Sequence, residues 1–200
     1  MKLYLIVKRI FDILVSVVGI VALSPVLLLT YLAIKLDSPG PAIFKQKRLG
    51  RYGKEFTVYK FRSMTVGAEK MGSGQYSFEG DPRVTKVGNF IRKTSIDELP
   101  QFINILKGDM SLIGFRPPLT YHPKTFEEYT DAERVMFSLR PGVTGWAQIH
   151  GRKTVNWNER IQMNIWYANN ISFWLDVKIF FTTIIKVLKN EDNINTNKTV

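Results

Sequence analysis

Residues 13–34 read ILVSVVGIVALSPVLLLTYLAI, an uncharged apolar run with Ser24-Pro25 near its middle. Such a run is long enough to span a bilayer. Lys2, Lys8 and Arg9 precede it; Lys35, Lys45, Lys47, Arg48 and Arg51 follow it. Lys/Arg-rich flanks favour the cytoplasm, and a straight span would send one flank outward. Pro25 removes a backbone donor and clashes with the preceding turn, so a helix through the run is predicted to bend there, with Ser24 bonding a freed carbonyl. The arm from Ile13 to Ser24 would then be about 18 Å long, short of the roughly 30 Å hydrocarbon core. A re-entrant hairpin that enters and leaves one leaflet reconciles both facts. An ordinary Pro-kinked span and a buried helix of a soluble protein are the competing readings. A signal peptide is disfavoured, because no A-x-A-type cleavage site is evident and basic sequence follows at once.

The chain of 200 residues suits one domain plus a membrane element. It contains no cysteine and only two histidines, His122 and His150, which excludes thiol catalysis, disulfides and a Cys- or His-rich metal site. A net charge of +11 implies an anionic partner: nucleic acid, anionic lipid or a phosphorylated substrate.

Beyond the run, the turn cluster at residues 37–41 ends the helix. Alternating segments at residues 42–48 and 55–62, around Gly50 and Gly53, predict a small β-hairpin. The glycine-rich stretch 67–82 is expected to be a mobile surface loop. Leu99, Phe102, Ile103 and Leu106 fall at helical spacing, with Gly108 placed to stop that helix. The last third carries Trp146, Trp157, Trp166, Tyr167, Phe173, Trp174, Phe180 and Phe181 among basic residues, a mixture suited to helices lying in the headgroup region or to a packed core. The expected organisation is a re-entrant membrane helix over residues 1–36, a cytoplasmic catalytic domain over 37–190 and a flexible tail over 191–200. The fold class is α+β, mostly helical.

The densest group of reactive side chains lies in residues 91–118. Asp97 and Glu98 are adjacent, preceded by Arg92 and Lys93 and followed by Arg116. Ser95 and Glu98 also fit a capping box, a purely structural role, although Pro100 prefers the first helical position and would leave the acidic pair at or before the helix start. In phosphate chemistry, two carboxylates can hold a divalent cation together with substrate oxygens. One of them can also attack phosphorus. Arg92, Arg116, Arg140, Arg152 and Lys153 are available to stabilise phosphoryl charge. The turn-rich segments 114–118 and 140–153 could build the cleft; neither is a Walker loop or a dinucleotide fingerprint.

The order of KFRSM (residues 60–64), DPRVTKVGNFIRKTSIDELPQ (81–101), LKGDMSLIGFRP (106–117), RPGVTGWAQIHGR (140–152) and SFWLDVKI (172–179) resembles the bacterial sugar transferases called monotopic phosphoglycosyl transferases, in their small single-domain form. The resemblance implies transfer of a phosphosugar from a UDP-sugar to polyprenol (undecaprenyl) phosphate, releasing UMP, as the first membrane step of surface glycan assembly. It further implies dependence on Mg²⁺ and a location in the phospholipid inner membrane of a bacterium, at the cytoplasmic face. Its re-entrant helix breaks at Ser24-Pro25. Asp97 maps onto the nucleophile that becomes phosphosugar-linked, and Glu98 onto a partner in metal or proton handling. Arg92, Arg116 and Arg152 map onto phosphate-binding positions. Many members read G-P-R-P where this chain has Gly114-Phe115-Arg116-Pro117, so the loop aiming Arg116 is expected to be more relaxed. The alternative is a non-catalytic basic adaptor anchored in the membrane and binding anionic lipid, for which the acidic pair would only cap a helix. A nucleic-acid partner is disfavoured by the apolar run.

Overall fold

The computed structural model describes residues 2–74, 77–78, 80–151 and 155–189; the expected tail at 191–200 lies outside the described residues. Two helices open the chain, α1 (Lys2–Ala22) and α2 (Ser24–Asp37), bent by 63° at Leu23. Pro25 sits in the first turn of α2, where its missing N–H costs least. The Val21 carbonyl, which a residue without an N–H at position 25 cannot satisfy, accepts a 2.8 Å bond from Ser24 Oγ instead. Among the described residues no single helix is long and apolar enough to cross a membrane, whereas the bent pair together has the necessary length and composition.

The helix begins well before the apolar run, and its first half has an inverted amphipathic character. Tyr4, Lys8, Asp12 and Ser16, one helical turn apart, face the rest of the protein, and Asp12 and Ser16 are buried. Leu3, Val7, Ile10, Leu14, Val17, Val18 and Val21 are exposed on the outer side. A water-facing helix would be arranged the other way round. The inward stripe is held by polar contacts. Asp176 Oδ2 accepts from Tyr4 Oη at 2.6 Å and pairs with Lys8 Nζ at 2.8 Å, Asp176 Oδ1 accepts from Tyr167 Oη at 2.6 Å, and the Leu112 N–H donates to Asp12 Oδ1 at 3.0 Å.

Strands β1 (Ile43–Leu49) and β2 (Glu55–Phe61) form the predicted antiparallel hairpin, in register from Ile43 opposite Phe61 to Leu49 opposite Glu55. Helix α3 (Lys86–Lys93) starts at Thr85, whose hydroxyl accepts the Gly88 N–H at 2.9 Å. Helix α4 (Gln101–Lys107) ends at Gly108 in the left-handed conformation (φ 90°), as the spacing predicted. Asn104 staples α4 to β2: its Oδ1 accepts the Tyr59 N–H at 2.9 Å and its Nδ2 donates to the Thr57 carbonyl at 2.7 Å. Strand β3 (Ser111–Ile113) pairs parallel with β4 (Gly142–Thr144), on either side of the short α5 (Asp131–Arg134). The chain then continues through α6 (Trp146–Ile149), α7 (Trp157–Asn170) and α8 (Phe173–Leu188). Phe56, Val58, Ile105, Met110, Ile113, Tyr167 and Ile179 make one core beneath the hairpin; Leu49, Phe115, Tyr129, Met136, Phe137 and Ile161 make a second. The fold is α+β and mostly helical.

Residues 67–74 of the glycine-rich stretch are held by bonds that its composition does not predict. Residues 67–74 wrap around the buried Arg83 guanidinium, whose Nη1 donates to the carbonyls of Ala68 (2.8 Å), Met71 (2.7 Å) and Gly74 (2.7 Å). Asp81 holds the same guanidinium through both carboxylate oxygens, and this pairing lowers the Asp81 pKa to about 2. One arginine thus supplies the order that apolar side chains do not.

Candidate active site

Asp97 and Glu98 lie in a 3-10 turn, Ile96–Glu98, between α3 and α4. Ser95 before them is left-handed (φ 57°, ψ 15°), a conformation that costs a non-glycine residue roughly 1–3 kcal/mol. Its side chain makes no capping bond, and Pro100 precedes α4 as its N-cap. The capping role that would have made the acidic pair purely structural is therefore not formed. Glu98 instead turns its Oε1 toward cations, 2.7 Å from Lys60 Nζ and 3.9 Å from Arg116 Nη1.

Several cations gather at this pair or beside Arg116. Lys60 comes from β2, and burial lowers its pKa against the opposing pull of Glu98 and Asp97. Arg48 comes from β1; burial, then repulsion from Arg116, brings its pKa down to about 10. Arg160 on α7, 4.7 Å from the Trp157 ring centre, is lowered to about 10 by the same two causes. Arg92 on α3 is lowered by burial and raised by the charge of Asp97, and it is oriented by bonds of 2.8 Å to Ser63 Oγ and to Ser77 Oγ. Desolvated cations that repel one another are stabilised by an anion, and phosphate oxygens suit guanidinium geometry.

Arg116 is held more firmly than the missing first proline suggested. Phe115 is buried and packs edge-on against Phe137, with ring centres 5.1 Å apart. The Phe115 carbonyl accepts the Gly142 N–H at 2.8 Å, and the Gly114 N–H donates to the Thr144 carbonyl at 2.9 Å. The two segments approach so closely that a Cβ on Gly114 would stand 2.2 Å from the Arg140 carbonyl oxygen. On the other side, Arg48 Nη1 donates to the Pro117 carbonyl at 3.0 Å. The loop is fixed by pairing and aromatic packing, so loss of one proline does not loosen it.

The structure brings together four of the residues singled out from the sequence: Asp97, Glu98, Arg92 and Arg116. Arg140 is elsewhere, donating to the Gly108 carbonyl at 2.9 Å beside Arg9 and Arg51. Arg152 and Lys153 lie outside the described residues. Arg48, Lys60 and Arg160 were not foreseen as site residues. Strand alternation carried a signal for two of them, because in this register Arg48 and Lys60 share one face of the hairpin. Among the described residues no three His, Cys, Asp or Glu side chains cluster as a metal cage, so any cation at Asp97 and Glu98 would share its coordination with substrate.

Comparison with known proteins identifies the family. The profile of the bacterial sugar transferase family matches residues 3–190. The uncharacterized sugar transferase EpsL of Bacillus subtilis is 42% identical over 194 residues, covering 96% of this chain and 93% of that protein. UDP-N-acetylgalactosamine-undecaprenyl-phosphate N-acetylgalactosaminephosphotransferase of Aeromonas hydrophila is 46% identical, covering 93% of this chain and 44% of that protein. UDP-glucose:undecaprenyl-phosphate glucose-1-phosphate transferase of Escherichia coli is 42% identical, covering 92% of this chain and 40% of that protein. The chain thus spans nearly all of one relative and less than half of the other two. With a match from residue 3 to residue 190, the chain belongs to the bacterial sugar transferase family.

Proposed function

We propose that this chain transfers a phosphosugar from a UDP-sugar to polyprenol phosphate at the cytoplasmic face of a bacterial inner membrane, giving polyprenol diphosphosugar and UMP. The observation that carries the proposal is the adjacent Asp97 and Glu98 in a strained turn, approached by Arg48, Lys60, Arg92 and Arg116, with Arg160 beside Arg116. Names of relatives that include undecaprenyl-phosphate sugar transferases support the same chemistry.

In this mechanism an Asp97 carboxylate oxygen attacks the sugar-bearing phosphorus of the donor. The bond from that phosphorus to the bridging oxygen breaks, its electron pair leaves on UMP, and an acyl phosphosugar forms on Asp97. A phosphate oxygen of the acceptor then attacks the same phosphorus and returns Asp97 to its carboxylate. One phosphoanhydride is exchanged for another, so no further energy source enters. Arg116, Arg48 and Arg160 hold the diphosphate and stabilise charge growing on its oxygens. Glu98 keeps Lys60 at 2.7 Å, fixing one cation beside the nucleophile. Asp97 and Glu98 fit Mg²⁺, which commonly takes one or two carboxylates together with substrate oxygens. When bound, the ion supplies further positive charge to the phosphates.

The exposed apolar side of α1 and α2, including Val18, Val21, Leu28 and Leu29, is the proposed membrane anchor, with the 63° bend returning the chain to the side it came from. UMP release from a panel of UDP-sugars, measured with and without polyprenol phosphate and Mg²⁺, tests the activity. Release that requires acceptor and cation supports the proposal; vesicle binding without release from any donor contradicts it. Tags at both ends of the chain test the anchor: both should be reached only from the cytoplasmic side, and periplasmic labelling of the N-terminus would replace the hairpin with a span.

A further inference from the structure

The cations around Asp97 and Glu98 form one wall of the site. A second wall, of different chemistry, meets it at Glu98. There Leu99, Phe102, Val143, Ile149 and Val187 line a mostly apolar groove of about 120 Å³, too small for a whole polyprenyl chain but adequate for its head. None of Arg48, Lys60, Arg92, Arg116 and Arg160 lines it. Its polar lining includes Gln148, which is buried yet has no hydrogen-bond partner for either Nε2 or Oε1 among the described residues. An amide left in this condition costs about 1–3 kcal/mol, a penalty that a ligand with its own polar group removes.

The groove reaches α1 through Phe102, whose ring lies against Gly19. Thr183, Lys186 and Val187 face into it, and a 2.7 Å bond between the hydroxyls of Thr144 and Thr183 ties β4 to α8 there. Beside Gly19 on α1, Val17, Val18 and Val21 are exposed. A ligand with an apolar body and a polar head could therefore approach Glu98 from beside the apolar side of α1, past Phe102. A nucleotide sugar, carrying two phosphates, matches the cationic wall instead.

Resting on the transferase reading, we infer that this groove is the acceptor subsite, with the first isoprene units between Phe102, Val143 and Val187 and the phosphate bonded by the Gln148 amide near Lys186. Donor and acceptor then reach Asp97 along different walls. The amide N–H donates to a phosphate oxygen, and Oε1 accepts from a phosphate hydroxyl or a water. Gln148 is thus an acceptor-binding residue with no part in donor binding.

Two variants and one label test this. Gln148→Leu removes the amide at similar bulk, and Val187→Trp fills the groove. Each should raise the acceptor KM about tenfold while donor kcat/KM, measured at saturating acceptor, stays within twofold. A matching fall in donor kcat/KM would give the groove to the sugar or nucleotide, and no change in either would leave it without a substrate; both results overturn the inference. Independently of turnover, a prenyl phosphate with a diazirine in its first isoprene unit should label peptides containing Leu99–Phe102 or Thr183–Val187, displaced by unmodified polyprenyl phosphate. Labelling confined to α1 and α2 overturns the subsite even in an active enzyme. Absence of UMP release by the wild-type chain counts against the transferase reading, while the label still reports on the groove.

Discussion

Two carboxylates in this protein, Asp176 buried and Glu98 half-buried, each hold a lysine at salt-bridge distance in different surroundings. Asp176 on α8 is saturated: Lys8 at 2.8 Å, Tyr4 at 2.6 Å and Tyr167 at 2.6 Å occupy its oxygens. It fastens α1, whose outer side is apolar, to α7 and α8. Glu98 has Lys60 at 2.7 Å and Arg116 at 3.9 Å, and burial, then repulsion from Arg116, lowers the pKa values of Arg48 and Arg160 nearby, while burial lowers that of Lys60. One centre is balanced in itself. The other sets two cations about one carboxylate oxygen, and the proposed anion-binding role rests on that crowding.

The comparison fails most visibly if Asp97 proves dispensable. Asp97→Asn retains size and hydrogen bonding but loses the anionic nucleophile, so UMP release should fall by roughly 10³-fold or more with the thermal midpoint little changed. Next, Arg116→Ala should reduce turnover by about 10²-fold, the usual scale for removing one charge-stabilising donor. Arg51, which donates to the Ser138 carbonyl at 2.9 Å away from the acidic pair, is the control, and Arg51→Ala should change turnover by no more than about twofold. Equal losses would mean that net charge alone matters.

The clamp predicts the opposite pattern. Asp176→Ala leaves Lys8 and two tyrosine hydroxyls without their acceptor, and should lower stability by about 3–5 kcal/mol, seen as an early thermal transition in detergent. The protein that remains folded should turn over within a few-fold of wild type. A large turnover loss at unchanged stability would make Asp176 part of the chemistry. The smallest effect concerns the Arg83 centre. Asp81 titrates at about 2 in the fold against an ordinary 3.8, so its contribution is present above the ordinary value and lost as pH falls toward 2. Asp81→Asn should flatten the stability curve across that acid window, and an unchanged slope would remove Asp81 from the account.

These contrasts also mark what the sequence could reveal. The break at Ser24-Pro25 was legible because a missing N–H acts on its own helix, and the β-hairpin and α4 were legible from alternation, helical spacing and the stop at Gly108. The inward stripe of α1 was not, because its meaning depends on Asp176, 172 residues beyond Tyr4. Lys60 was missed for the same reason, standing 38 positions from Glu98. The 67–74 segment misled because its order comes from one arginine bonding carbonyls, which composition does not report. Phe115 misled because a proline lost from a loop is visible in sequence, whereas a phenyl ring gained by the core behind it is not.

The central claim is that Asp97 takes the phosphosugar before the lipid does. Incubating the protein with a UDP-sugar and no acceptor, then weighing the intact chain and its peptides, tests this directly. The account predicts stoichiometric UMP release, a mass increase of one phosphosugar on the peptide containing Asp97, and loss of that mass when polyprenol phosphate is added. An unmodified chain, with UMP formed only when both substrates are bound together, would contradict it.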